Sequence, residues 1–218
     1  MEKKYKLTEE SINVDDRTLY RIEALRDFGD VKKGDKGGYV EKESNLYQYG
    51  DCWVYDNAMV YDNAQVYDNA KVYGNAEVYD NAQVYDDAIV SDHAKVCGKA
   101  EVCGNVKIYG KAVVYGNAIV RGNAIIRDNA KVYGYTRIFD NVKIYDNAEV
   151  RGHSKVYGNV EVYNDAEIFD NAEVYGNTLV YDKAIVYEDA NVCGNVEVCG
   201  NADVYGNVKV YGNVKINS

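Results

Sequence analysis

The 218-residue chain carries 25 Lys and Arg against 35 Asp and Glu, a net charge of −10, which excludes a generic basic nucleic-acid binder because phosphate neutralisation needs a positive surface. It holds 23 Tyr but 3 Phe and 1 Trp, and 19 Gly but no Pro, a skew that points to a repeated template. No apolar run approaches the ~20 residues of a membrane span, the opening MEKKYKLTEES lacks the apolar stretch of a secretory signal, and five Cys in no framework spacing suit a reducing compartment, so a cytoplasmic protein without a membrane partner is expected.

The first 45 residues lack the repeat that follows. Ile12 and Val14, then Asp15-Asp16-Arg17, then Leu19, Tyr20 and Ile22 predict a β-hairpin. Lys33–Gly38 predicts a second turn before Tyr39-Val40. Val40, Leu46 and Cys52 fall in the phase of the small interior slot defined below, so the repeat is expected to begin near residue 40. The segment 1–45 is expected to act as a β cap over the strand edges of the unit 46–218.

From about residue 46 the chain repeats every six positions. A β-branched aliphatic stands at Val54, Val60, Val66 and every sixth residue to Ile216, 28 positions without exception. Four residues after each comes a small slot, filled between Ala58 and Val214 by 18 Ala, 6 Val, 2 Thr and 1 Ser. The small slot lies two residues before the next aliphatic, so each hexad alternates in-out-in like a strand. The following [Asp/Gly]-Asn pair tolerates left-handed backbone and supplies a corner. This Gly and Asn density excludes a helix, and the period of six excludes a coiled coil. Such units bury their apolar face only by stacking as coils of a β-solenoid.

Three hexads per coil fit best. The larger Val at small slots 106, 142, 160, 196 and 214 recurs in phase at 18 residues, as do Ile108, Ile126, Ile144 and Ile216. The prediction is an all-β, three-sided parallel β-solenoid of about nine 18-residue coils, a rod roughly 43 Å long at the strand spacing of a sheet.

The hexads resemble the repeat of the left-handed parallel β-helix proteins, [LIV]-[GAED]-x-x-[STAV]-x. One departure stands out: the residue after the aliphatic is Tyr at 17 of 28 places, where that family has a small residue. With ALRDFGDV and GDKGGYV (24–31 and 34–40), the chain resembles uncharacterised Tyr-rich phage and bacterial proteins labelled hexapeptide transferase-like or polymer-forming. The resemblance implies left-handed coils and little about activity.

Hexapeptide acyltransferases carry a catalytic His beside a loop between coils. Here His93 and His153 both occupy the Asn place of a corner, 60 residues apart, and no hexad from 54 to 216 holds an insertion. They are read as substitutes for a turn Asn, and two His cannot supply the three ligands of a β-helix zinc site. Cys97, Cys103, Cys193 and Cys199 fill outward Tyr places and are expected as exposed or half-buried thiols, with Cys52 inside. Stacked turn acids such as Asp62/Asp80 and Asp128/Asp146 lack the glycine-rich signature of calcium β-rolls. No catalytic residue, cofactor or metal site is therefore expected.

At 18-residue spacing Tyr55 falls on Tyr73, Tyr61 on Tyr79 and Tyr67 on Tyr85, suited to offset stacking. Arg127 and Arg151 are placed for cation–π contacts. Glu77 and Lys95, Lys131 and Glu149, Lys143 and Glu161, and Lys155 and Glu173 are expected to pair across coils. Val113, Ile119 and Ile125 make the outward places of one coil apolar, a candidate lateral contact. The hexad stays intact through Val208, Val210, Val214 and Ile216, where uncovered strand edges are expected to recruit a second copy.

The sequence thus points to a non-enzymatic rigid scaffold or binding rod that self-associates, with a C-terminal end-to-end dimer favoured over a lateral trimer or a monomer. One alternative is an acyltransferase-like enzyme with a site between subunits. A second is an acidic nucleic-acid mimic or ligand-binding rod of phage origin, whose charge is far sparser than the one per ~1.7 Å of duplex DNA.

Overall fold

The computed structural model describes residues 3–218. Two long strands, β1 (Tyr5–Val14) and β2 (Arg17–Ala24), form an antiparallel hairpin, as the sequence predicts. β3 (Lys36–Val40) pairs antiparallel with β2 on one side and parallel with Met59-Val60 on the other. It therefore belongs to the cap and to the first coil at once.

After β3 the chain climbs through ten coils, each contributing one short strand to each of three parallel sheets. The first sheet runs through Val40, Val60 and Val78, the second through Leu46, Val66 and Val84, and the third through Val54, Val72 and Val90. From Val54 onward every pair joins residues 18 apart, for example Val90 to Ile108 and Val198 to Ile216. The added tenth coil is the one that begins with β3.

That first coil departs from the predicted phase. Val40 and Leu46 pair with the aliphatic residues Val60 and Val66, and so stand in aliphatic slots, two places from where the hexad phase puts them. The cause is the segment Tyr47–Asp51, which holds two residues more than a regular corner and restores the phase at Cys52. Cys52 is fully buried, as expected.

Each coil closes because the third hexad residue turns left-handed. Every such position from 56 to 212 has positive φ, filled by Gly, Asp, one Asn (Asn164) and one Glu (Glu188), the residue classes that accept this conformation at least cost, Glu188 apart. The interior is a column of Val, Ile and Ala, interrupted by Thr136, Ser154 and Thr178, with essentially no exposure from Ala58 to Val198, each buried Val contributing on the order of 1.5 kcal/mol or more before chain entropy is counted.

The register also sets which backbone groups face each end. The N–H of an outward residue donates to the following coil, as from Trp53 to Ala70 at 3.1 Å and from Tyr55 to Val72 at 2.8 Å. In a parallel stack the inward residues of the first coil consequently point their carbonyls at the N-terminal end. The cap meets them: Tyr5 Oη donates to the Leu46 carbonyl at 2.7 Å, and Lys4 Nζ to that of Cys52 at 2.9 Å. Trp53, with edge contacts to Tyr5 at 6.0 Å and Phe28 at 5.3 Å, completes this plug.

β3 enters flush against the coil above it. A Cβ on Gly37 would stand 2.5 Å from the Val54 carbonyl, and one on Gly38 2.4 Å from that of Ala58. This close approach explains the Gly-Gly pair, since both have ordinary negative-φ backbone and need Gly for space alone.

Candidate functional site

The surface is organised as columns, because residues 18 apart lie one strand spacing from each other. At the residue following each aliphatic the columns are aromatic. Tyr55 and Tyr73 stack at 4.3 Å, Tyr61 and Tyr79 at 5.1 Å, and Tyr67 and Tyr85 at 4.7 Å. Three Arg interrupt the columns: two lay the guanidinium on the next ring, Arg127 4.2 Å from Tyr145 and Arg151 4.0 Å from Phe169, and Arg121 reaches Glu101 instead.

The Tyr hydroxyls follow a rule the sequence reading missed. Each of several donates to the Glu sixteen residues on: Tyr61 to Glu77, Tyr133 to Glu149, Tyr145 to Glu161 and Tyr181 to Glu197 at 3.1 Å, and Tyr157 to Glu173 at 3.0 Å. Tyr85 reaches Glu101 in the same way. The recurring Tyr-x15-Glu spacing was the available signal. Burial, then the bonded carboxylate, pushes the Tyr133 and Tyr157 hydroxyls up to about 12.

Three expected ion pairs form: Glu77–Lys95 at 2.8 Å, Lys131–Glu149 at 2.7 Å and Lys143–Glu161 at 2.8 Å. The bonds from Lys131 and Lys143 hold Glu149 and Glu161 below the usual carboxylate range. The fourth does not form. Lys155 lies in register with Glu173, but that carboxylate is occupied by Tyr157 Oη and by Asn191 Nδ2 at 3.2 Å.

The turn acids have a backbone partner. Asp80 Oδ2 accepts the Gly98 N–H at 2.9 Å, and Asp86, Asp92 and Asp140 accept those of Gly104, Gly110 and Gly158 at 3.0 Å. Asp128 and Asp146 are joined likewise at 3.4 Å. Asp at one corner therefore serves the corner above it. No group of three or more His, Cys, Asp or Glu able to hold a metal ion occurs among the described residues.

The cysteines correct one expectation. Cys97, Cys103 and Cys199 are buried and Cys193 half-buried, so none of the four is exposed. Burial raises the Cys97 and Cys103 thiols above their ordinary value. Lys4, which no sequence pattern marked, is also fully buried, with its Nζ 3.1 Å from Cys52 Sγ, and burial lowers it.

The two histidines stand on different corners. His93 donates its N–H to Gly110 at 2.8 Å and His153 to Asp170 at 2.7 Å, each bond being the one a corner Asn makes. His153 has an added feature: its ring stacks on Tyr135 at 4.8 Å and 2°. These two rings, with Asn117, Ile119, Arg137 and Lys155, line a groove of about 500 Å³.

The apolar belt residues fall on three different sheets: Val113 between Lys95 and Lys131, Ile119 between Glu101 and Arg137, and Ile125 between Lys107 and Lys143. Each is half-buried and faces a different way. At the last coil Val208 is 45% exposed and Val214 40%, while Val210 and Ile216 are half-buried. Val204, Tyr205, Val208, Val210 and Ile216 line a shallow, mainly apolar hollow there. Lys215 pairs with Glu197 at 3.0 Å.

Residues 54–68 and 64–80 match the family described as the YdcK beta solenoid repeat, which agrees with the three-sheet coil observed over the same residues. No curated protein matches the chain. No helix is long and apolar enough to cross a membrane among the described residues.

Proposed function

We propose that the chain is a non-enzymatic rigid rod, a cytoplasmic scaffold that joins a second copy end to end through its last coil. One observation carries the scaffold reading: from Val54 to Ile216 the 18-residue register is unbroken across all three sheets. A rod of this kind holds whatever it carries at fixed spacing, and its columns repeat one chemistry where a catalytic site would converge several. The five free cysteines suit a reducing compartment.

The self-association reading rests on the last coil. Val208 and Val214 expose apolar surface beside Val210 and Ile216, and the outward residues of that coil aim N–H groups at a position where the coils below find carbonyl partners. Such an edge recruits another strand. The Glu197 carboxylate offsets the Lys215 charge that would oppose the contact.

Light scattering tests this reading. The intact chain is expected to run as a dimer at roughly 50 µM, and Val210→Pro, which breaks the pairing of the last coil with the one before it and so disorders the docking edge, is expected to run as a monomer. A monomeric intact chain, or a dimer indifferent to the proline, overturns self-association. Titration with acetyl-CoA tests the non-enzymatic reading: tight binding abolished by His93→Ala or His153→Ala would overturn it.

A further inference from the structure

The groove at Tyr135 and His153 breaks the rules that govern the rest of the surface. The fourth hexad position is Asn at most corners, and Asn side chains there bond along the column, as in Asn123 to Asn141 and Asn141 to Asn159, both at 3.0 Å. At this corner the column instead runs Asn117, Tyr135, His153, Asn171. Tyr135 is 57% exposed. One face of its ring is covered by His153; the other looks along the column over the much smaller Asn117, where the stack has room for one more ring.

The neighbouring column on the second sheet departs from the opposite-sign pairing seen at Glu77–Lys95, Lys131–Glu149 and Lys143–Glu161. Arg137 and Lys155 lie in register, two cations one strand spacing apart. The other coil arginines, Arg121, Arg127 and Arg151, reach carboxylates at 2.6, 2.6 and 2.9 Å, whereas Arg137 and Lys155 make no ion pair among the described residues. The carboxylates closest along their column are committed, Glu101 to Arg121 and Glu173 to Tyr157 and Asn191. Like charges placed together cost free energy on a sheet face. On a rod of net charge −10 this is a local positive site beside an open aromatic face.

We propose that this groove binds a small planar anion, its ring continuing the stack on the free face of Tyr135 above Asn117 and Ile119, its phosphate or carboxylate held between Arg137 and Lys155. Stacking on an aromatic side chain is tolerant of ring identity, and a guanidinium presents a planar fork to an oxyanion. The volume of about 500 Å³ lies within the range of small-ligand sites. Two cations within a negative rod favour a compact anion over a polyanion, which the surrounding charge repels. The inference is independent of self-association, since the groove lies in the middle coils.

The test is calorimetric titration of the full chain with adenosine monophosphate and, separately, with benzoate. At least one is expected to bind at one site per chain in the sub-millimolar range. Binding of both identifies a general ring-and-anion site, and binding of the nucleotide alone narrows the class to nucleotides. Adenosine and inorganic phosphate, each lacking one half of the ligand, are expected to bind about tenfold or more weakly.

Tyr135→Asn and Arg137→Gln are each expected to weaken binding by about tenfold, while His93→Asn leaves it unchanged. Tyr135→Asn restores the repeat's own corner residue, so the coil should fold, and a thermal melt checks it. Absence of binding by both probes overturns the proposal. So does phosphate binding as tightly as the nucleotide, either variant binding like the parent chain, or capture of single-stranded oligonucleotides alone.

Discussion

At the N-terminal end Lys4, Tyr5, Phe28 and Trp53 close over the first coil and are all buried, whereas at the other end Val208 and Val214 stand 45% and 40% exposed. Both ends face the same physical problem, since a parallel stack leaves backbone groups unpaired wherever it stops. At the first coil the problem is met by residues outside the repeat: a hairpin on one sheet, a Tyr hydroxyl on the Leu46 carbonyl and a Lys ammonium on that of Cys52. At the last coil the repeat itself is presented. The difference gives the rod a direction, and under the proposed function it leaves one end for a partner.

The coils between the ends set the largest expected effect. Tyr67, Tyr133 and Tyr157 are all pushed up to about 12, with burial the leading cause, against an ordinary value near 10. A raised folded-state value means the native state holds protons that the unfolded chain releases. The stabilisation is therefore full below about pH 10 and is lost as pH rises toward 12. Tyrosinate absorbance is expected to rise together with loss of β circular dichroism in that window. Ionisation at ordinary pH without unfolding would show that the stacked columns contribute little.

Substitutions sharpen the contrast of ends. Trp53→Ala is expected to cost about 3–5 kcal/mol in urea unfolding, while Val214→Ala on the monomer should change stability by about 0.5 kcal/mol or less. Equal costs would erase the distinction between a packed and an open end. Gly38→Ala is expected to cost about 1–3 kcal/mol, because its Cβ would meet the Ala58 carbonyl at 2.4 Å. A neutral result would mean that β3 does not enter the coil flush. A further small effect lies between the ends and has the opposite sign. Ser154 Oγ is buried without a partner, unlike Thr136 and Thr178, which bond the Tyr133 and Tyr175 carbonyls at 2.6 and 2.7 Å. Ser154→Ala is expected to raise stability by up to about 1 kcal/mol, and a loss would indicate a hydrogen bond to that hydroxyl.

The same contrast explains what could be read from the sequence. In the coils one register repeats, so Val60, Ala64 and Tyr61 name their neighbours by arithmetic, and the three sheets, the 18-residue coil and the stacked rings follow. The first coil is unique. Nothing in the spacing of Val40 and Leu46 discloses the two extra residues between Leu46 and Cys52, and Lys4 lies 48 residues from the sulfur it touches. Periodicity carries no information about a feature that occurs once. Lys155 shows a second limit: register placed it opposite Glu173, but competition from Tyr157 and Asn191 decided the bond. The groove was half visible, as a His in an Asn place, and its meaning depended on Tyr135 and the unpaired cations beside it.

Hydrogen exchange read at two protein concentrations, well below and well above the expected dimerisation midpoint, tests the directional rod most directly. The outward amides of Asn213, Lys215 and Asn217 in the last coil are expected to exchange quickly in the dilute sample and to slow when concentrated, while those of Gly38–Val40 and Trp53-Val54 stay equally slow in both. Last-coil amides indifferent to concentration, or first-coil amides exchanging as fast as they do, would contradict the account of one sealed end and one end that pairs.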